Sequence, residues 1–425
     1  MISNRQGLLA VSPIVVFLLF YLAVSIAIGD FYKMPISVAL LAASAWAVII
    51  NLRGRKLTEC IETFSASAGN PNVMYMVWIF ILAGAFASLA NETGAVHATV
   101  TLTLKFLPAS LIIPGLFAAA CFISLAIGTS VGTVVALTPL AVELAASGGG
   151  NVAFFVAVTL GGAFFGDNLS FISDTTIAAT RTQGCRMSDK FRTNLAIVLP
   201  AAVITLILYF ILGSEVATFV PEGDVDVMKV VPYLLVIILA ICGLNVTVVL
   251  TVGILSMLLI AWLSGFDALD MLGFMGYGIE GVGNLIIITL LAAGMLGLIK
   301  AGGGIDYILQ RLTSKITGVR GAQGAVGLLT GIVNLCTANN TVTILTVGPL
   351  AADIARRFGI KPRKMASLLD TCSCIVQCLI PYGAQTLMAT GLAGISPEAP
   401  FPYLYYPWAL TLTVAAAILL RRPSR

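Results

Sequence analysis

Residues 338–355 read ANNTVTILTVGPLAADIA, and about 210 positions earlier residues 128–145 read GTSVGTVVALTPLAVELA. In this superposition Thr343 falls on Thr133, Pro349 on Pro139 and Asp353 on Glu143. Nearly the same offset lays LAAGMLGLIKAGGGI (291–305) over LAGAFASLANETGAV (82–96). A slightly shorter one lays DTCSCIVQ (370–377) over DNLSFISD (167–174), so that D-x-x-S-x-I occurs in both halves. Polar landmarks that keep their order and spacing across two halves mark an internal duplication of the kind from which transporters are built.

The surroundings of these motifs fix the class. The 425 residues are 59% hydrophobic and only 10% charged, and mean hydropathy is +1.03. Apolar runs of membrane-crossing length recur from end to end, which leaves little chain for a soluble domain. The run after MISNRQ is too long for a signal-peptide core and reads as a retained first helix. The eight cysteines lie mostly within apolar runs, and a single histidine gives them no zinc partner set. The net charge of +4 is spread over short loops, so it describes topology and offers no footprint for nucleic acid. No hydrolase or nucleotide-binding motif occurs, and neither an enzyme nor an ATP-driven pump is expected.

Basic loops at Arg53–Lys56, Arg181–Arg192, Lys300–Arg320, Arg356–Lys364 and Arg421–Arg425 contrast with acidic ones at 214–226 and 264–270. The basic loops are assigned to the cytoplasm. The segment 322–355 has basic loops on both flanks, so it is expected to enter and leave on one side, turning at TANNT. Its repeat partner, 109–147, turns at GTSVGT. The remaining apolar segments predict helices near 8–28, 33–50, 72–90, 152–182, 192–213, 229–243, 246–263, 284–300, 365–390 and 403–420. The expectation is an all-α polytopic membrane protein with about ten transmembrane helices, two re-entrant hairpins and both termini cytoplasmic. Residues 1–213 form one five-helix repeat, 214–228 a linker and 229–425 the second repeat, inverted because each contains an odd number of crossings.

Four polar interruptions survive in this apolar chain: GTSVGT, GDNLSFISDTT, CTANNTVT and LDTCSCIVQCLIPYG. Irregular, polar backbone at membrane depth persists only where it lines a cavity. Two hairpin tips and two broken helices therefore meet at one place. Their carbonyl, hydroxyl and amide oxygens suit a small alkali cation. Asp167, Asp174 and Asp370 are the acids within long apolar segments, Ser373 following Asp370 as Ser170 follows Asp167. A buried carboxylate must be neutralised by a proton or by sodium, and competition for one carboxylate yields exchange. Asp174 ranks ahead of Asp167 as that carboxylate, because the shorter offset gives Asp174 a neutral partner, Gln377, and Asp167 an acidic one, Asp370. Lys300 is read as reaching for the cytoplasmic surface, and the glycines 161, 162 and 166 as close-packing positions.

At GTSVGT followed by GGAFFGDNLSFISDTTIAA the chain resembles the NhaC-type sodium/proton antiporter family, within the ion transporter superfamily. TANNT is similar to the Ser-Asn-Thr hairpin tip of that superfamily's dicarboxylate carriers. Phe171 and Ile177 stand where the antiporters usually show proline and asparagine. The resemblance implies inverted five-helix repeats, each with a hairpin and a broken helix. It also implies that Thr129, Ser130 and Thr133, Asn339, Asn340 and Thr341, and Asp167, Ser170, Ser173, Asp174 and Thr175 surround the transport site, with sodium on Asp174 and Asp167. No cofactor is expected beyond the transported sodium and proton. The alternative is a sodium- or proton-coupled carrier of a small organic solute such as an amino acid or carboxylate. The partners expected are the lipid bilayer of the cytoplasmic membrane and the transported ions, with a homodimer left open.

Overall fold

The computed structural model describes residues 4–28, 34–106, 108–170, 173–212, 226–242, 244–313 and 318–420. The described residues are helical apart from turns and short connections, and no strand occurs among them. Phe171, the stretch 214–225 of the expected linker and the basic tail Arg421–Arg425 lie outside the described residues.

The first half contains α1 (Asn4–Ile28), α2 (Ile36–Asn51), α3 (Leu57–Ala68), α4 (Pro71–Glu92), α5 (Ala95–Phe106), α6 (Ile112–Ile127), α7 (Ser130–Ser147), α8 (Val152–Leu169), α9 (Asp174–Gln183) and α10 (Met187–Leu212). The second contains α11 (Val227–Ile241), α12 (Val246–Leu263), α13 (Ala268–Gly281), α14 (Gly283–Ala301), α15 (Gly304–Thr313), α16 (Gly318–Thr337), α17 (Asn340–Phe358), α18 (Pro362–Leu379), α19 (Ala384–Leu392) and α20 (Tyr405–Leu419). The series run in parallel, element by element. Eight spans are long and apolar enough to cross a membrane, and shorter apolar helices cover 36–51, 112–125, 227–239 and 405–419.

Packing between the halves is reciprocal. Helix α3 lies on α14 and α13 on α4; α2 lies on α14 and α12 on α4; α9 lies on α17 and α19 on α7. Each contact recurs with the halves exchanged, as a pseudo-twofold relation requires. Small residues permit the closest approaches. A Cβ at Gly162 would strike the Phe117 carbonyl, and one at Gly166 would strike Ser124, so α8 can lie against α6 only with glycine there.

Every expected membrane segment is present, and so are the two hairpins, α6–α7 and α16–α17. Four short helices, α3, α5, α13 and α15, were not expected. The register of the broken helices also differs from the expectation. Helix α18 begins and ends 210 positions after α8, at Pro362 and Leu379 against Val152 and Leu169. Asp167 therefore corresponds to Gln377, Asp174 to Ala384 and Asp370 to Leu160. The D-x-x-S-x-I superposition is displaced by seven residues, about two helical turns. Such a slip returns the polar residues to the same helix face, which is why the motif matches at the wrong depth.

Candidate ion-binding site

Four helices begin and four end around one cavity of about 380 Å³. At the tip of α6–α7 the chain turns through Gly128 in the left-handed region (φ 74°), and extended Thr129 precedes α7. At the tip of α16–α17 Ala338 takes the same left-handed turn (φ 47°) and extended Asn339 precedes α17. Helix α8 stops at Leu169 and the chain resumes as α9 after extended Ser173; α18 stops at Leu379 and resumes as α19 after extended Gly383. The N-terminal residues of the restarted helices, Ser130, Asn340, Asp174 and Ala384, all line the cavity. Their N–H groups, which have no partner within the helix, and their partial positive charge make the cavity polar before any side chain is counted.

Asp167 is the buried acid of this cavity, 4% exposed. Its Oδ1 accepts the backbone N–H of Ser130 at 2.9 Å and its Oδ2 accepts the Ser130 hydroxyl at 2.5 Å. The carboxylate of one broken helix thus caps the N-terminus of the hairpin helix beside it. The chain of bonds continues into the other half. Ser130 Oγ accepts from Gln385 Nε2 at 3.0 Å, and Gln385 Oε1 accepts from Gln377 Nε2, also at 3.0 Å. Gln377 Nε2 donates in addition to the Ala338 carbonyl at the opposite tip (3.0 Å). Gln377 therefore does at its tip, as an amide, what Asp167 does at the other as an acid.

Of the residues expected here, Thr129, Ser130, Asp167, Ser173, Asp174, Thr175, Asn339, Asn340 and Thr341 line the cavity. Asp174 is exposed to it at the first turn of α9. Thr175 Oγ1 donates to the Asp167 carbonyl (3.3 Å) and lies 3.0 Å from Ser173 Oγ. Thr133, Ser170, Ser373 and Asp370 are buried behind the lining. Thr133 bonds the Thr129 carbonyl (3.2 Å) and Ser373 the Asp370 carbonyl (2.9 Å), so both brace the backbone. Asn334 fastens the second tip, donating to the Ser373 carbonyl (2.7 Å) and accepting from Thr343 (2.9 Å).

Asp370 meets a partner that the sequence reading leaves in a cytoplasmic loop. Lys190, 1% exposed, places Nζ 2.6 Å from Asp370 Oδ2, and Asn194 Nδ2 donates to the same oxygen at 2.9 Å. The expected helix start at 192 is too late, since α10 begins at Met187. Lys190 and Asn194, four residues apart, then share one face, and that spacing was the available signal. Lys300, by contrast, is exposed, as expected.

The Na+/H+ antiporter family matches residues 7–214 and 225–421. The Na(+)/H(+) antiporter NhaC of Alkalihalophilus pseudofirmus is 25% identical over 78% of each chain. The malate-2H(+)/Na(+)-lactate antiporter of Bacillus subtilis is 21% identical over 96% of this chain and 93% of its own. The arginine/ornithine antiporter ArcD of Halobacterium salinarum is 24% identical over 79% of this chain and 77% of its own. With an oxygen-lined cavity between broken helices and a family match along nearly its whole length, the chain belongs to the Na+/H+ antiporter family, whose members are transporters and not enzymes.

Proposed function

We propose that the protein exchanges sodium for protons across the cytoplasmic membrane, with Asp167 as the carboxylate that holds each in turn. The observation that carries this reading is a buried acid bonded across to a hairpin tip in a cavity that no lysine, arginine or histidine lines among the described residues. Without a basic neighbour, the carboxylate is neutralised by what arrives from solution. Asp174, exposed in the same cavity, draws cations toward it. Ser130, Thr175, Asn340 and Thr341 supply neutral oxygen ligands.

Alternating access is supported by a second cavity of about 270 Å³, lined by Ser88, Asn91, Pro139, Glu143, Tyr277 and Leu392. The helices α4, α7 and α19 border both cavities, and between them Phe80, Ala83, Val134, Val135, Leu387 and Met388 are buried. The Asp167 cavity is rimmed by Tyr75 and Asn245, exposed and hydrogen-bonded at 3.0 Å. Asn245 follows the α11–α12 turn that charge bias assigns to the cytoplasm, so this form faces inward.

In proteoliposomes Asp167→Asn should abolish sodium-driven proton movement, whereas Asp174→Asn should raise the sodium concentration needed for half-maximal rate. Full exchange by Asp167→Asn would remove Asp167 from the mechanism. A second reading, coupled carriage of a small organic solute, is favoured by the cavity's size, which is in the range of small-molecule sites, and by relatives named for malate, lactate and arginine. Exchange measured with and without these solutes separates the two: a rate that needs the solute selects the carrier.

A further inference from the structure

The antiport reading uses Asp167 and leaves a buried ion pair unexplained. Lys190 and Asp370 are 1% and 0% exposed and line no part of the central cavity. The Lys190 ammonium has three N–H donors and meets three oxygens: Asp370 Oδ2 at 2.6 Å, Thr176 Oγ1 at 2.6 Å and the Asn168 carbonyl at 2.9 Å. A carboxylate, a main-chain carbonyl at the end of a broken helix and a threonine hydroxyl are the oxygen types that a hard cation takes. Asn194 Nδ2 adds two N–H donors, one toward Asp370 Oδ2 and one toward the Asn168 carbonyl (2.7 Å). Three further acceptors, Asn168 Oδ1, Asn194 Oδ1 and Asp370 Oδ1, are buried with no hydrogen bond among the described residues. Such a cluster demands positive charge.

The cluster is also placed where transported charge matters. Asn168 adjoins Asp167, and Asn168 and Thr176 lie on either side of the break between α8 and α9. The fold does not require the pair, since Leu160 stands at the position equivalent to Asp370 in the other half. Buried ion pairs are a poor means of stabilising a fold, and apolar residues of similar volume often do better.

We propose that Lys190 is a tethered cation: its ammonium fills a cation position formed by Asp370, Asn168 and Thr176, keeps Asp370 out of exchange, and leaves Asp167 as the carboxylate that ions exchange on. The last clause rests on the antiport reading; the first does not.

Two variants test it. Lys190→Ala removes the ammonium and leaves the oxygens, so its melting temperature in detergent should rise in sodium chloride over choline chloride by more than that of the wild type. Lys190→Met with Asp370→Asn removes both charges, and should respond to sodium as the wild type does and keep its proton-to-sodium ratio, read from the reversal potential in proteoliposomes. A Lys190→Ala protein with only the wild-type sodium response would overturn the proposal, as would a folded double variant with an altered ratio or no exchange. Should only one variant fold, its own readout decides. Should neither fold, radioactive sodium bound per wild-type chain decides, one ion supporting the proposal and two overturning it. A wild type indifferent to sodium beside a responsive Lys190→Ala would support the tethered cation and sink the antiport reading alone.

Discussion

Ser130 presents both a backbone N–H and a hydroxyl to Asp167, and the hydroxyl is held in that direction because Gln385 already donates to its oxygen. Removing Gln385 frees the hydroxyl to rotate away, and a hydrogen bond to a charged group contributes about 1.5–3 kcal/mol. Gln385→Leu should therefore raise the sodium concentration for half-maximal exchange by about tenfold or more, with membrane insertion unchanged; an unaltered sodium dependence would show that Gln385 does not orient the site. The polar residues themselves were legible, because acids, threonines and asparagines in an apolar chain have few other uses. Their pairing across the two halves was not. A seven-residue slip preserves the helix face, so the sequence pairs Asp167 with Asp370, while the helix ends pair it with Gln377. Lys190 was hidden by a different cause: a lysine beside arginines reads as solvated, and only the early start of α10 carries it inward.

The elements that build the site are turns as much as helices. Gly128 and Ala338 occupy equivalent left-handed positions at the two tips, yet only glycine adopts that conformation without cost. For an alanine the left-handed region costs roughly 1–2 kcal/mol. Ala338→Gly should then stabilise the protein by about 1 kcal/mol, and Gly128→Ala should destabilise it similarly, both read as shifts in detergent melting temperature. A lower melting temperature for Ala338→Gly would mean that the alanine methyl packs more favourably than its backbone is strained. The hairpins were legible from paired polar tips and, for the second, from its basic flanks. The short helices α3, α5, α13 and α15 were not, because each has 10–14 residues and is too short to register as a membrane span. Their reciprocal contacts, α3 with α14 and α13 with α4, exist only in three dimensions.

For the whole molecule the open physical quantity is orientation, which the helices' packing leaves free and loop charge decides. Arg320, in the first turn of α16, and Lys361, just beyond α17, stand at the two ends of the hairpin, both exposed. Cysteines introduced at these two positions should react with a membrane-impermeant reagent from one side only, and reaction from opposite sides would make 318–358 a crossing and end the inverted-repeat argument. Native thiols test the rest. Cys185, between α9 and α10, and Cys242, after α11, lie in turns that the positive-inside bias assigns to the cytoplasm. Cys242 is exposed and Cys185 half-buried, while Cys60, Cys121, Cys336, Cys374 and Cys378 are buried. Burial, and then the nearby Asp189 charge, push the Cys185 thiol above its ordinary range. The thiolate is the reacting species, so labelling of Cys185 should climb only at higher pH than that of an ordinary exposed thiol. A membrane-impermeant maleimide should accordingly mark inside-out vesicles at Cys242 at neutral pH and at Cys185 only in alkaline buffer, leaving intact cells nearly unlabelled. Strong labelling of intact cells that disappears in Cys242→Ser would reverse the orientation, and with it the side to which the Asp167 cavity opens.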